Sequence, residues 1–162
     1  MSLLEVGNNA VADDIIDIDL TPIKRKRFRI NGDSSKILEL NTSDVGIVSR
    51  LSKLYPKLQK LAEEATTFSE EELNDNSEEG LAKFAGKLET IDSKMSKLVD
   101  ELFDAEVSAV CKDGGSMYDP FSGMFRFEHI INTLSKLYEN NFNDEFTKIR
   151  KRVDKHTNKY IK

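Results

Sequence analysis

The chain has few of the residues that define several common protein classes: one cysteine, three prolines and no tryptophan among 162 residues. A single cysteine, Cys111, excludes an intramolecular disulfide framework and is typical of a reducing compartment. No apolar run approaches the roughly 20 residues of a membrane-spanning helix, and the first residues lack the basic and apolar regions of a signal peptide. These absences exclude a disulfide-stapled mini-protein and predict a soluble, cytoplasmic protein without membrane contact.

Charge is distributed unevenly behind a net charge of −5. Residues 63–106 hold fourteen acidic and four basic side chains, whereas residues 148–162 hold seven basic and one acidic, and residues 24–29 hold five basic. The interpretation we favour is that these are solvated faces that attract one another within a molecule or between copies, which leaves a homo-oligomer possible. Nucleic-acid binding through the basic segments is the alternative, disfavoured by the acidic total and by the lack of an accompanying motif.

Strand patterns are confined to residues 15–40. Apolar and acidic residues alternate from Ile16 to Leu20, and a second alternating segment, residues 24–30, leads into the turn sequence Asn31-Gly32-Asp33. Residues 36–40 then form the returning strand of the predicted hairpin. This pattern predicts an antiparallel hairpin or a three-stranded meander, with no strand after Leu40. Residues 1–14 show no period and are expected to be a mobile tail.

Helical periodicity dominates the remainder, so the predicted fold class is α+β, mainly α, with a bundle of four to five helices in one domain, residues 15–162. Asn41 to Asp44 offer capping oxygens to the first helix, and Pro56 inside it predicts a kink or short break. Residues 66–80 are polar, acidic and turn-rich, and they are expected to be a linker. The predicted helices are 44–65, 81–110, 125–139 and 143–160, and the acidic linker is 66–80. Asn140, Asn141 and Asn143 suggest that one helix ends and another is capped there, and a single bent helix is the alternative.

The strongest periodic signal is an apolar stripe with heptad spacing that begins at residue 81. Its first half contains little beyond the a and d positions of a heptad, which is typical of a narrow seam with one other helix. We therefore predict a partner-binding face there, beside the acidic linker, comprising Leu81, Phe84, Leu88, Ile91 and Met95. The competing interpretation, slightly favoured, is that these residues pack on the helix at 47–65. If they do, the next candidate for the partner-binding surface is the basic helix at 148–162.

No pattern predicts catalysis, a cofactor or a metal. Cys111 continues a helical stripe and lacks a surrounding motif, which favours a buried structural thiol. His129 and His156 are far apart in sequence and belong to no spaced ligand set. Gly114-Gly115 is not followed by the residues of a phosphate-binding loop. We therefore expect a protein that is not an enzyme, with no catalytic, cofactor-binding or metal-binding residues.

Four stretches of the sequence carry a family resemblance: KRKRFRINGDSSKILELNTSD (24–44), LSKLYPKLQKLAEEA (51–65), GGSMYDPFSGMFRFEHIINTLSKLY (114–138) and RVDKHTNKY (152–160). Together they resemble tail assembly chaperones, small proteins encoded in the tail modules of bacteriophages and prophages. The resemblance implies a non-enzymatic viral protein of the bacterial host cytoplasm that binds the helical tape measure protein, keeps it soluble and helps to recruit tail tube protein. A structural adaptor or connector subunit of a phage tail, or of a similar assembly, is an alternative from another class.

Overall fold

A computed structural model describes residues 14–20 and 25–161, with side chains as far as Lys155. Its elements, in chain order, are β1 (Lys26–Ile30), β2 (Asp33–Leu40), α1 (Ile47–Thr66), α2 (Glu70–Asn74), α3 (Glu78–Phe103), α4 (Val107–Cys111), β3 (Pro120–Phe121), β4 (Met124–Phe125) and α5 (Arg126–Ile161). An N-terminal hairpin followed by five helices confirms the predicted α+β, mainly α, class.

The N-terminal hairpin forms where the sequence predicts it. β1 and β2 pair antiparallel, with Lys26 opposite Leu40 and Arg29 opposite Ile37. Asn31 and Gly32 both have positive φ, of 54° and 70°, which is the conformation that a tight hairpin turn requires. The buried residues of β2, Leu38 and Leu40, anchor this hairpin on the core.

The third strand of the alternative meander is not formed. Residues 14–20 adopt no regular secondary structure, and Ile16 in that segment is 88% exposed. Alternation alone could not produce a strand there, because a strand also needs a neighbour for its backbone groups. Residues 21–24, and residues 1–13 of the predicted tail, lie outside the described part of the chain.

One apolar cluster holds the hairpin and the long helices together. α1 packs along α3, and residues from β2, α1, α3 and α5 share the cluster. The ring centroid of Tyr55, midway along α1, lies 5.7 Å from that of Phe127 in the first turn of α5. Farther along α5, the ring centroid of Tyr138 lies 5.9 Å from that of Phe103, which ends α3.

The first helix differs from its predicted form. α1 begins at Ile47, not at residue 44, because Asn41 and Asp44 use their side chains in local turns: Asn41 Oδ1 accepts from the Ser43 backbone N–H and Asp44 Oδ1 from that of Gly46. No side chain caps α1. Pro56 lies inside α1 without interrupting it, so of the predicted kink or short break, the break is wrong and the kink stays a prediction.

The predicted acidic linker and the predicted helix 81–110 also differ from the structure. The linker contains the short helix α2, whose first turn is capped by Ser69. α3 begins three residues early, at Glu78, because Ser77 Oγ accepts from the Gly80 backbone N–H. It stops at Phe103, since Asp104 adopts a left-handed conformation with φ of 48°. α4 follows as a separate turn, tied back by Asp100, whose carboxylate accepts from both the N–H and the hydroxyl of Ser108.

The last two predicted helices, 125–139 and 143–160, form one continuous helix, α5. Asn141, one of the asparagines that suggested a helix end, makes tertiary hydrogen bonds instead. Its Nδ2 donates to the Thr42 carbonyl at 3.1 Å, and its Oδ1 accepts from Lys26 Nζ at 2.9 Å. Before α5, β3 and β4 form a two-residue hairpin. The prediction of no strand beyond Leu40 is therefore wrong.

Tyr138 gives a stability prediction, because its side chain is 2% exposed and its hydroxyl has no hydrogen-bond partner among the described residues. Burial raises the pKa of this phenol to about 12. Tyr138→Phe removes an unpaired buried hydroxyl and is expected to leave the free energy of unfolding unchanged or to raise it by about 1 kcal/mol. Tyr138→Ala should instead cost about 3 to 5 kcal/mol. Denaturant titration of both variants measures this, and a loss above about 1 kcal/mol in the Phe variant would contradict it.

Candidate partner-binding surfaces

The structure divides the predicted binding stripe on α3 into a buried and an accessible part. Ile91 and Met95 are 6% and 0% exposed and belong to the core cluster that contains the α1 residues, so the expectation that they form an accessible surface is wrong. Leu88 is half-buried at the edge of that cluster. Leu81 is 55% exposed, and Phe84 is half-buried. Within the predicted stripe, the first turns of α3 are therefore the part that is accessible among the described residues.

Leu81 and Phe84 belong to a surface that we call the acidic tip, residues 63–84. The tip comprises the end of α1, all of α2 and the start of α3, and it contains eight acidic side chains and one basic side chain. Phe68 meets Phe84 edge to face, with ring centroids 5.2 Å apart. Leu73 on α2 is 63% exposed. A groove between α2 and α3 is lined by Ser69, Glu71, Glu72, Asp75, Gly80, Lys83, Phe84 and Lys87.

Local hydrogen bonds give the acidic tip a defined shape. Ser69 and Ser77 cap α2 and α3, and Asp75 accepts from both the backbone N–H and the hydroxyl of Ser77. These hydrogen bonds lower the pKa of the Asp75 carboxyl. Across the groove, Lys87 Nζ lies 3.4 Å from Glu72 Oε2. The tip thus combines two capped helix starts with apolar side chains among carboxylates.

A second exposed apolar surface lies on the far part of α5, which we call the basic arm, residues 146–155. Phe146, Ile149 and Val153 are between 43% and 49% exposed and follow helical spacings of three and four. An aromatic series connects this stripe to the core, since Phe142 lies 6.2 Å from Tyr138 and 6.0 Å from Phe146 between ring centroids. The five basic residues of the arm are Lys148, Arg150, Lys151, Arg152 and Lys155.

The acidic tip and the basic arm lie at opposite ends of the molecule. The first turn of α5 contacts the middle of α1, through Tyr55 with Phe127 and Glu128, whereas Asn141 bonds residues just before α1. α5 therefore runs antiparallel to α1, and the arm continues beyond the beginning of α1. The tip is at the other end of α1, about 30 Å away at 1.5 Å per residue.

The loop at residues 112–125, which carries part of the family resemblance, is held to α3 and to the start of α5 by side-chain contacts. Asp92 on α3 accepts from Lys112 Nζ and from the Met117 backbone N–H, both at 2.8 Å. Arg126 Nη1 donates to the Lys112 carbonyl, and a Cβ on Gly115 would lie 2.6 Å from the Arg126 guanidinium. These contacts give Asp92, Lys112, Gly115 and Arg126 structural roles in holding the loop.

Among the described side chains, the residues considered for metal binding are not brought together. Within the described part of the chain, no group of three or more His, Cys, Asp or Glu side chains is arranged to hold a metal ion. His129 is exposed and lies 5.7 Å from the Phe121 ring. The side chain of His156 lies outside the described residues.

Cys111 has the environment of a structural thiol. Burial, with a smaller contribution from Asp100, raises its pKa from 9.0 to about 11. Two pKa units reduce the thiolate fraction about 100-fold at neutral pH, and the thiolate is the reactive form. We expect iodoacetamide to modify native Cys111 at least about 100-fold more slowly than the unfolded chain at pH 7.5. Mass spectrometry of timed samples measures this rate, and similar rates in both states would contradict the expectation.

Comparisons of this chain with protein-family models, with curated proteins and with solved structures gave no match. Within the residues that the structure describes, no helix has both the length and the apolar character needed to cross a bilayer.

Sequence reasoning placed the partner-binding face on the first half of one helix, beside the acidic linker, and did not predict that the linker itself contributes exposed apolar side chains. Phe68 and Leu73 are single apolar residues in an acidic segment, so no periodicity marks them. The basic helix at 148–162 was the second candidate because of its cations, but the exposure of Phe146, Ile149 and Val153 along α5 was not predicted, because the same spacing describes a core-facing stripe.

Proposed function

We propose that this protein is a non-enzymatic tail assembly chaperone of a bacteriophage or prophage, acting in the cytoplasm of the bacterial host. It binds the helical tape measure protein, keeps it soluble during assembly and helps to recruit tail tube protein. The four stretches of sequence resemblance support the family and its partners. The structure supports a protein that works through exposed helical surfaces.

The observation that carries the binding role is the acidic tip, where Leu73 and Leu81 are exposed beside the half-buried Phe84. Amphipathic helices are recognised by apolar surfaces that accept side chains spaced by three, four and seven residues. The surrounding carboxylates favour a client helix that carries cations beside its apolar face. The client segment is therefore a basic amphipathic helix.

Co-expression with the tape measure protein of the same tail module tests this proposal. The chaperone should move the tape measure protein into the soluble fraction and copurify with it. Leu73→Ser with Leu81→Ser should lower the copurified amount at least about tenfold without lowering the melting temperature, because both side chains are exposed. Phe121→Ser, at an exposed apolar residue outside the tip, is the matched control.

Two results would overturn the proposal. One is a tape measure protein that is equally soluble and equally pure without this chain. The other is this chain in stoichiometric amounts in finished particles, which would instead identify a structural adaptor or connector subunit.

A further inference from the structure

We propose that the basic arm of one molecule docks on the acidic tip of a second copy of this chain, so that copies associate head to tail. The association needs no client, but it uses the same acidic tip that is proposed to bind the client helix, so an arm and a client compete for one tip.

The basic arm has the features of one half of a helix interface. Phe146, Ile149 and Val153 form a narrow stripe, and at about 100° per residue Arg150 and Arg152 lie on opposite sides of it. The stripe is 43% to 49% exposed, whereas its continuation toward the core ends in the buried Tyr138. An apolar stripe that leaves the body of its own molecule in this way is available to another helix.

The acidic tip has the complementary features. Its apolar side chains, Phe68, Leu73 and Leu81, are 42% to 63% exposed, and they lie among the eight carboxylates of residues 63–84. The arm carries five cations and one acid, so a negative surface with apolar side chains faces a positive one. Charge complementarity of this kind orients partners and accelerates their encounter.

The arm cannot reach the tip of its own molecule. α1 separates the two surfaces by about 30 Å, and α5 leads the arm farther away, by about 21 Å between residues 141 and 155. An arm that meets a tip therefore belongs to a different molecule. Each copy presents one arm and one tip, so the contact is heterologous and can be repeated along a row of copies.

The composition of the arm favours a protein partner over a nucleic acid. Phosphate binding requires cations alone, and it would leave Phe146, Ile149 and Val153 in water. Docking on the tip covers these side chains with Phe68, Leu73 and Leu81 while the flanking arginines meet carboxylates. The tip of a second copy therefore matches both the apolar and the charged parts of the arm.

Charge reversal at the two surfaces tests the proposal on the full chain. The arm variant is Arg150→Glu with Arg152→Glu, and the tip variant is Glu71→Lys with Glu72→Lys. Sedimentation velocity is run at protein concentrations chosen between about 5 and 200 µM, and the parent chain should associate as its concentration rises. This association should be at least about tenfold weaker in about 0.5 M salt than in about 0.05 M salt, because salt screens exposed charges. Each variant alone should remain monomeric.

Mixing the two variants is the decisive measurement. The parental arm of the tip variant meets the parental tip of the arm variant, so an equimolar mixture should recover association to within about threefold of the parent. The control for the arm variant is Lys53→Glu with Lys57→Glu, which makes the same change in net charge at exposed positions of α1. It should leave association unchanged. Circular dichroism and melting of every variant verify the fold.

Three outcomes would overturn the proposal: a parent chain that is monomeric throughout the concentration range in low salt, association that survives either reversal, or a mixture that stays monomeric although both variants are folded. Duplex DNA is included as a competing ligand. Arm-dependent DNA binding by a monomeric parent chain would identify the arm as a nucleic-acid site instead.

Discussion

Replacing Met95 by Ala is expected to lower the free energy of unfolding by about 2 to 5 kcal/mol, whereas Leu81→Ala on the same apolar stripe should change it by less than about 0.5 kcal/mol. Met95 is fully buried, and Leu81 is 55% exposed. Truncation at Met95 removes apolar contacts and leaves a cavity in the shared core, while truncation at Leu81 leaves the packing intact. The two substitutions separate the structural part of the stripe from its accessible part.

Urea titration followed by circular dichroism measures both effects. Leu58→Ala, which truncates a fully buried side chain on α1, should resemble Met95→Ala in size and serves as the positive control. Equal costs at Met95 and Leu81 would contradict the division of the stripe. A small cost at Met95 with normal folding would show that α3 does not pack on α1 as described.

Removing the carboxylate of Asp92 is expected to cost about 2 to 4 kcal/mol, the second large effect. Asp92 is 16% exposed as a side chain and accepts from Lys112 Nζ and the Met117 backbone N–H at 2.8 Å each. Asp92→Ala leaves a partly buried ammonium without its counter-charge and a backbone donor without its acceptor. The loop at residues 112–125 should then lose its attachment to α3.

Thermal melting and amide hydrogen exchange measure this effect, and exchange at Met117 reports it locally. Asp92→Asn keeps an acceptor oxygen and should cost less than Asp92→Ala. Glu145→Ala, which breaks an exposed pair with Lys148 at 3.6 Å, should cost less than about 0.5 kcal/mol and is the matched control. Unchanged protection at Met117 in Asp92→Ala would contradict the role of this carboxylate.

The elements that the sequence predicted best are those in which neighbouring residues decide the outcome. The Asn31-Gly32 turn has the backbone conformation its residue types favour, so the hairpin was predictable. The stripes of α1 and α3 identify their buried faces, because period 3.6 places these residues on one side of a helix. Boundaries were less predictable. Asp44 and Asn141 are residues typical of caps, but the structure uses them in a local turn and in a tertiary hydrogen bond.

The candidate surfaces were predicted in part. Leu81 and Phe84 lie on the acidic tip, but Ile91 and Met95 lie in the core, because a heptad stripe has the same spacing whether α1 or a partner covers it. The grouping of Phe68 and Leu73 with Leu81 depends on how α2 turns back on α3. Likewise, the arm extends beyond the beginning of α1 because of how α5 packs along α1, and no local sequence pattern predicts that packing.

The sequence by itself determined the α+β class, the hairpin at the N-terminus, the helical remainder and the separation of acidic from basic segments, since each depends on residue type and short-range period. The tertiary structure decided which half of the α3 stripe is buried, that α5 is one helix, and that the acidic tip and the basic arm are at opposite ends. The physical reason is that burial and relative position depend on which helices pack together, and packing involves contacts between residues far apart in the chain.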